Sequence, residues 1–210
     1  MSFVDILTLP EHPKRIAFTG YAHSGKDAAA QPLIEHGYTR RAYGDIVKRQ
    51  CKQLIEENLG IDSHTEDPVQ KDHIRPLLET WGELNYDNIA KEYFDGLPEY
   101  SVNTRICHMP EVVRWKEIGG VIVAIDRPGT VPQTQWEERR IKEQLAYECI
   151  SLIIVNDSSI AKLHEIIATL FLLNDRANAW SQICGDRPWT VRCSSGLQSL
   201  RQLDYAPGTL

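Results

Sequence analysis

The sequence predicts an α/β domain in which a mostly parallel central sheet is flanked by helices. Predicted strands alternate with predicted helices along most of the chain. Two runs, 121–125 and 151–155, are apolar and rich in β-branched residues, a pattern typical of strands covered on both faces. A third apolar run, 16–19, enters a glycine-containing loop that ends where a helix begins, an arrangement suited to phosphate binding.

Size and composition are those of a soluble globular protein. The chain has 210 residues, enough for one domain with or without an appendage, and 42% of them are hydrophobic. The net charge of −6 argues against a dedicated polynucleotide-binding protein. No apolar run approaches the roughly 20 residues that span a bilayer, and residues 1–5 do not resemble a signal peptide. We therefore expect a cytoplasmic location (the host cytoplasm for a viral protein), with no membrane or polynucleotide partner.

The cysteines point to the same compartment. They are five, an odd number, and no two of them form a C-x-x-C pair. Reduced thiols are therefore expected instead of a disulfide framework. Cys184, Cys193 and His164 could in principle hold a metal, but their spacing matches no known zinc pattern.

The segment Gly20–Asp27 has the form G-x-x-x-x-G-K. Gly20 and Gly25 permit backbone angles and close approaches that a Cβ would block, so that successive N–H groups can surround a phosphate. Lys26 supplies a mobile positive charge for the β- and γ-phosphate oxygens. Asp27 stands where Ser or Thr normally ligates magnesium. A glycine turn with a surface lysine is the alternative, and it leaves the strand, the glycines, the lysine and the helix start coinciding by accident.

The first half of the chain predicts, in order, a helix over 25–36, a strand over 38–43, a helix over 44–59, a polar loop over 61–68, a long helix that includes 74–84, and a short helix around 89–94. Asp45 is expected to be the N-cap of its helix, and Gly37 and Gly60 to end theirs. Pro76 lies inside the long helical pattern, so its first turns should be kinked or separately started.

The second half predicts, in order, a strand over 101–106, a helix over 111–118, a strand over 121–125, a charged and mostly solvated helix over 136–146, a strand over 151–155 and a helix over 160–172. Residues 174–210 show no clear period beyond a weak strand pattern over 189–193. We therefore divide the chain into a domain over 14–173 and an appendage of unknown role over 174–210.

Phosphate chemistry needs cations from several segments, and the candidates are Arg40, Arg41, Lys48, Arg75, Arg105, Arg127, Arg139 and Arg140. In an open α/β sheet the ligand lies beyond the carboxyl ends of the strands. Arg40 and Arg41 are neighbours in one predicted strand, so at most one should face the site. Arg139 and Arg140 lie in a helix of the kind that closes over phosphates as a lid. For Arg40, Arg41, Arg139 and Arg140 the alternative is a solvated charge on a strand edge or a helix face.

The loop Gly20–Asp27, with its G-K-D ending, resembles the phosphate loop of bacteriophage-type deoxynucleoside monophosphate kinases, a variant shared with animal-type phosphomevalonate kinases. Weaker similarities to the phage enzymes follow in the same order, at 42–48, 71–78, Arg105 with Glu111, 119–122, 127–129 and 155–157. The resemblance covers about residues 14–173. It implies a three-layer P-loop kinase fold that uses ATP and Mg²⁺ to phosphorylate a nucleoside monophosphate.

Motif and resemblance together predict the site residues. The predicted ATP-binding residues are Gly20, Ala22, His23, Ser24, Gly25, Lys26, Asp27 and Ala28. The predicted acceptor-binding residues are Asp45, Lys48 and Arg75. Lys26, Arg105 and Arg127 are the predicted catalytic residues, and Asp27 is the predicted metal ligand. Asp45 as a helix cap, Lys48 as a surface charge and Arg75 in a helix ion pair with Asp72 stay open as alternatives.

Two departures from the family pattern keep rival functions open. Asn103 stands where the family usually has Asp, and a neutral ligand holds Mg²⁺ less well than a carboxylate. A second Arg expected near Asn85 and Tyr86 is missing. The rivals are a kinase of another small acceptor (phosphomevalonate-like or dephospho-coenzyme-A-like) and an inactive nucleotide-binding regulator. The sequence leaves open the acceptor base and whether the protein is a homodimer.

Overall fold

The computed structural model describes residues 12–106, 108–146, 149–173 and 191–193. The strands are β1 (Arg15–Thr19), β2 (Thr39–Arg41), β3 (Ser101–Asn103), β4 (Val121–Asp126), β5 (Leu152–Val155) and β6 (Val191–Cys193). The helices are α1 (Lys26–Glu35), α2 (Tyr43–Leu59), α3 (Pro68–Leu84), α4 (Tyr86–Asp95), α5 (Met109–Glu117), α6 (Gln135–Ala146) and α7 (Ile160–Phe171).

The six strands form one sheet in the order β2-β3-β1-β4-β5-β6. The first five are parallel to one another, and β6 pairs antiparallel with β5. The predicted α/β fold with a mostly parallel sheet is therefore confirmed. The division at residue 174 remains a prediction, because residues 174–190 and 194–210 lie outside the described residues.

The sheet separates two hydrophobic cores, which gives the three layers. Alternation along β1 places Ile16 and Phe18 in one core and Ala17 in the other. The first core is closed by α1 and α7, and the second by α2, α3, α4 and α5. Since β4 is covered on both sides, Val121–Ile125 is buried throughout, as its unbroken apolar sequence predicts.

This topology creates a crevice at the carboxyl end of β1. The helix that follows β1 covers one face of the sheet, whereas α5, between β3 and β4, covers the other. A reversal of this kind leaves a gap beside the strand ends, where open α/β sheets bind their ligands. The glycine-containing loop after β1 lies at this point.

Three local expectations need correction. Helix α2 begins at Tyr43 with Ala42 as its N-cap, so Asp45 lies inside the first turn and does not cap the helix. Helix α3 is one helix through Pro76, not two, and the Asp67 side chain caps it by accepting the Val69 and Gln70 amide hydrogens. The strand predicted over 101–106 ends at Asn103. The side chain of Asn103 accepts the Arg105 amide hydrogen at 2.8 Å, and the Ile106 amide still donates to the Phe18 carbonyl of β1 at 3.2 Å.

One further expectation, the end of α2 at Gly60, is confirmed. Gly60 ends α2 with a left-handed conformation, at φ 63°. Cys51 and Cys149 are free, buried thiols. None of the described helices combines the length and the apolar character needed to cross a membrane. The cytoplasmic location stays a prediction.

Candidate active site

The phosphate loop joins β1 to α1 with little room for side chains at its two glycines. A Cβ on Gly20, at φ 131°, would lie 2.3 Å from the Ile125 carbonyl oxygen. A Cβ on Gly25, at φ 103°, would lie 2.6 Å from Nδ2 of Asn156. Both positions therefore require glycine on two counts, the backbone angle and the contact. The loop is therefore packed closely against Ile125 at the end of β4 and Asn156 after β5.

A side chain that follows β5 holds the phosphate loop in place. Asn156 Nδ2 donates a 2.8 Å hydrogen bond to the carbonyl of Ser24, and Ser24 itself is fully buried. The resemblance marked residues 155–157 only as a turn, so the support that Asn156 gives to the loop was missed. A polar residue directly after a central strand was the available signal.

Lys26 bends back over the loop. Its Nζ donates to the Gly20 carbonyl at 2.9 Å and to the Tyr21 carbonyl at 2.6 Å. The ammonium group is thus held against the loop by two of its backbone carbonyls. Phosphate oxygens are better partners for an ammonium group than neutral carbonyls are, because both partners are then charged.

A lid segment, defined as residues 130–146, covers the loop. Glu137 of α6 accepts the Ala22 amide hydrogen with one oxygen and the Gln133 amide hydrogen with the other, each at 2.8 Å. The Gln133 side chain contacts His23 Nε2 at 3.0 Å and accepts a 3.3 Å hydrogen bond from Arg75 of α3. These contacts tie the phosphate loop, the lid segment and α3 together.

The base of the lid helix is fixed by a buried glutamine. Gln144 is fully buried; its Oε1 accepts the Thr19 hydroxyl hydrogen at 2.6 Å, and its Nε2 donates to the Ile106 carbonyl at 3.3 Å. The sequence analysis missed Gln144, Gln133 and Glu137, because it treated this helix as mostly solvated. A T-x-x-E capping pattern at Thr134–Glu137 was visible, but it predicts a helix start and not a contact with the loop.

Arg40 is the member of the arginine pair that faces the site. Its Nη1 donates to Asp45 at 2.7 Å, and its Nε lies 3.9 Å from the carboxylate of Asp27. Arg41 points the other way, with its guanidinium 6.0 Å from the centre of the Tyr93 ring. The expectation from strand alternation is therefore confirmed. Asp45 enters the site as the ion-pair partner of Arg40.

The other predicted acceptor residues lie on α2 and α3. Arg75 pairs with Asp72 at 2.9 Å and also reaches Gln133, which places it beside the phosphate loop. Lys48 lies near the start of α3, where a hydrogen bond from Lys71, and more weakly the charge of Lys48, lower the pKa of Glu66. Lys71 and Arg75 are one turn apart on α3, so these cations line the same side of the crevice.

Arg105 and Arg140 approach a cluster of three aromatic rings formed by Tyr43, Tyr86 and His108. The Tyr43 and Tyr86 rings are stacked 5.7 Å apart, and His108 lies 5.5 Å from Tyr86. Burial and then the charges of Arg140 and Arg105 lower the pKa of His108 to about 4. His108 is therefore neutral at pH 7, and its ring adds no positive charge to the two arginines. Sequence reasoning did not single out this ring cluster, since its members come from three segments.

The structure does not bring Arg127 into contact with the loop. It begins the turn after β4, its side chain is exposed, and its carbonyl accepts hydrogen bonds from Thr130. Arg139 is likewise exposed and pairs with Glu143 at 2.9 Å. A catalytic role for Arg127 remains a prediction that would require movement of its side chain toward the ligand.

The residues present fit a magnesium ion only in part. The described residues contain no cluster of three or more His, Cys, Asp or Glu side chains. Mg²⁺ needs fewer protein ligands when nucleotide phosphates supply the others. Asp27 fits this need, since its side chain is 80% exposed at the start of α1. Asn103 does not fit, because it is buried and its Oδ1 already accepts the Arg105 amide hydrogen.

Comparison with known proteins finds similarity to proteins named as kinases. No family model matches the chain. A protein of Acanthamoeba polyphaga mimivirus, described as "Putative deoxynucleotide monophosphate kinase", is 25% identical over 185 residues, which cover 72% of this chain and 93% of the relative. Over 72% of its length the chain is therefore similar to a protein that is named as a kinase.

Two solved structures show a weak similarity to the chain. A dephospho-CoA kinase from Campylobacter jejuni is 11% identical with a TM-score of 0.40, over 75% of this chain and 95% of its own. A gluconokinase from Sinorhizobium meliloti is 12% identical with a TM-score of 0.42, over 82% of this chain and 99% of its own. At this level of similarity they add nothing about the substrate.

Proposed function

We propose that the protein transfers the γ-phosphoryl group of ATP to a nucleoside monophosphate, preferably a deoxynucleotide, and releases ADP and the nucleoside diphosphate. The observation that carries the proposal is the phosphate loop. Its Ala22 amide already holds a carboxylate oxygen at 2.8 Å, directly before the N-terminus of α1 and beside the Lys26 ammonium. An amide that binds a carboxylate in this way can bind a phosphate oxygen.

The donor side consists of the loop and the first turn of α1. In the proposal, the amides of Gly20 and of residues 22–28 surround the ATP phosphates, and Lys26 exchanges its two carbonyl partners for phosphate oxygens. When bound, Mg²⁺ neutralises charge on the β- and γ-phosphates, and Asp27 would hold it directly or through water. Phosphoryl transfer then depends on in-line positioning more than on covalent chemistry.

The acceptor side is the crevice between the loop, α3 and the ring cluster. Arg75 is tied to the phosphate loop through Gln133, so an acceptor phosphate bound there would face the donor phosphate. Lys48, Arg105 and Arg140 supply further positive charge. The rings of Tyr86 and His108 offer an apolar surface on which a nucleobase can stack. The mimivirus relative, named for deoxynucleotide monophosphates, supports this assignment.

Two other functions remain candidates. A kinase of another small phosphorylated or carboxylated acceptor would use the same loop and the same cations. A nucleotide-binding regulator without turnover is favoured by Asn103, which offers no free carboxylate for magnesium at the end of β3. The proposed partners are small nucleotides, and the homodimer stays open.

A screen of acceptors tests the proposal. The full chain is incubated with ATP and Mg²⁺ and with each of the four deoxynucleoside monophosphates, the ribonucleotides, phosphomevalonate or dephospho-coenzyme A, and ADP release is followed by a coupled assay. At least one deoxynucleoside monophosphate should raise ADP release more than about tenfold over ATP alone. Turnover with only a non-nucleotide acceptor would favour the second candidate. ATP binding without turnover on any acceptor would favour the regulator.

Arg75→Ala is expected to raise the KM for the acceptor by about 10- to 150-fold and to leave the KM for ATP nearly unchanged. One charge-assisted hydrogen bond to the acceptor phosphate is worth that factor. Lys48→Ala should show a smaller effect of the same kind, because the nearby Glu66 carboxylate partly offsets the positive charge of Lys48. The measurement varies ATP and the acceptor separately. An increase confined to the KM for ATP would move Arg75 to the donor side.

A further inference from the structure

The contact between Glu137 and the phosphate loop places a negatively charged carboxylate of the protein at a site that is suited to a phosphate. A phosphate loop is an arrangement of N–H donors for an anion, and here an anion of the protein itself occupies one of the donors. We propose that Glu137 is a built-in competitor of the ATP phosphates, which must displace it from the Ala22 amide before the donor can bind fully. This inference rests on the proposed function, in that it takes the loop to be the ATP site.

Electrostatics makes joint occupancy unfavourable. Ala22 has a single amide hydrogen, and it points at Oε1 of Glu137 over 2.8 Å. A phosphate oxygen that takes this hydrogen would bring its negative charge within a few ångströms of the carboxylate, and like charges at that distance repel. The lid segment therefore has two positions for Glu137: on the loop without nucleotide, and displaced from it with nucleotide.

The two oxygens of Glu137 have separable roles. Oε2 accepts the Gln133 amide hydrogen, and the Thr134 hydroxyl accepts the Glu137 amide hydrogen at 3.1 Å, so this half of the contact caps α6 from within the lid. Only Oε1 leaves the lid and reaches the phosphate loop. Displacement by ATP thus breaks the contact with Ala22 without removing the cap, and α6 can stay helical while it moves.

The contacts of the lid segment with the phosphate loop and with α3 are arranged so that displacement of Glu137 affects them. Gln133 joins Glu137 through its own amide and contacts His23 and Arg75 through its side chain, so these contacts between the lid, the loop and α3 meet within residues 133–137. His23 is a loop residue and Arg75 a predicted acceptor residue. Release of Glu137 would therefore loosen the lid at the point where donor and acceptor have to meet.

Glu137→Gln tests the proposal through ATP affinity. Gln keeps an oxygen that can accept the capping hydrogen bond and removes the negative charge. Glu138→Gln is the matched control, since Glu138 lies on the same helix, loses the same charge and pairs only with Lys142 among the described contacts, at 2.6 Å. The Kd for ATP, and for tripolyphosphate as a base-free probe, is measured by calorimetry on the full chain without acceptor. Glu137→Gln should bind both about tenfold more tightly than the wild type, and Glu138→Gln within twofold of it.

The outcomes separate this inference from the proposed function. Equal or weaker ATP binding by folded Glu137→Gln, with normal binding by the wild type, would overturn the inference and leave Glu137 as a helix cap. Absence of ATP binding in every folded form would instead overturn the proposed function. If Glu137→Gln does not fold, Glu137→Asp is measured instead. Asp keeps the charge and the capping group but is one methylene too short to reach the Ala22 amide. Glu137→Asp should also bind ATP more tightly than the wild type, and unchanged affinity would count against the inference.

Discussion

Lys26→Ala should lower kcat for ADP release by about a hundredfold to a thousandfold. Its ammonium group is held at the centre of the loop by the carbonyls of Gly20 and Tyr21, so it is positioned before the substrate arrives. A preorganised donor that meets developing charge in the transition state contributes a factor of this size. The measurement is the coupled assay under saturating ATP and acceptor, with circular dichroism to show that the variant is folded.

Lys91→Ala is the control for this experiment. Lys91 also carries one positive charge and also forms a short-range pair, with Asp95 on the exposed side of α4, but it lies outside the site. It should leave kcat within about twofold of the wild type. Near-normal turnover by folded Lys26→Ala would contradict the assignment of this loop to the phosphoryl donor, and with it the kinase mechanism proposed here.

Gly20→Ala should destabilise the protein by about 2–5 kcal/mol. The new methyl group would lie 2.3 Å from the Ile125 carbonyl oxygen, and the backbone would have to keep a φ of 131° that L-residues rarely adopt. Backbone strain accounts for roughly 1–2 kcal/mol of this and the clash for roughly 1–3 kcal/mol. Because the clash is with the backbone of β4, no side-chain rotation can relieve it. The free energy of unfolding is measured by urea titration.

Gly129→Ala separates the two contributions. Gly129 also has a positive φ, of 84°, but a Cβ there would meet no atom within 4 Å. This variant should lose only the strain, about 1–2 kcal/mol. If Gly20→Ala cost no more than Gly129→Ala, the close packing of the phosphate loop against β4 would not be a feature of the folded protein in solution.

The sequence was sufficient to predict the sheet and the loop because each is encoded locally. The apolar run 121–125 has no polar position, and the spacing from Gly20 to Lys26 specifies a loop of one kind. Helix ends were less certain. The residues around Asp45 allow a start at Ala42 as well, and a nearby Arg40 that takes the aspartate as an ion-pair partner decides between them.

The lid contacts could not be predicted from the sequence for a different reason. Glu137 is one of several carboxylates on a charged helix, and the T-x-x-E pattern that distinguishes it from Glu138 and Glu143 predicts only a helix cap. Its partner, Ala22, is more than a hundred positions away and contributes only a backbone amide. Contacts of this kind depend on how α6 is placed over the sheet, which the helical period does not determine.

The buried hydrogen bonds of Gln144 set the mechanics of the lid helix. Gln144 joins α6 to the end of β1 and to Ile106, and breaking these bonds would leave polar groups without partners in the interior. Gln144 is therefore the point about which helix α6 can tilt. Glu137 lies about 10 Å along the helix from Gln144. A tilt of the helix by about 20° would therefore move Glu137 by about 3–4 Å, which is enough to break its hydrogen bond with the Ala22 amide. A small rotation at a fixed end is enough to clear the loop.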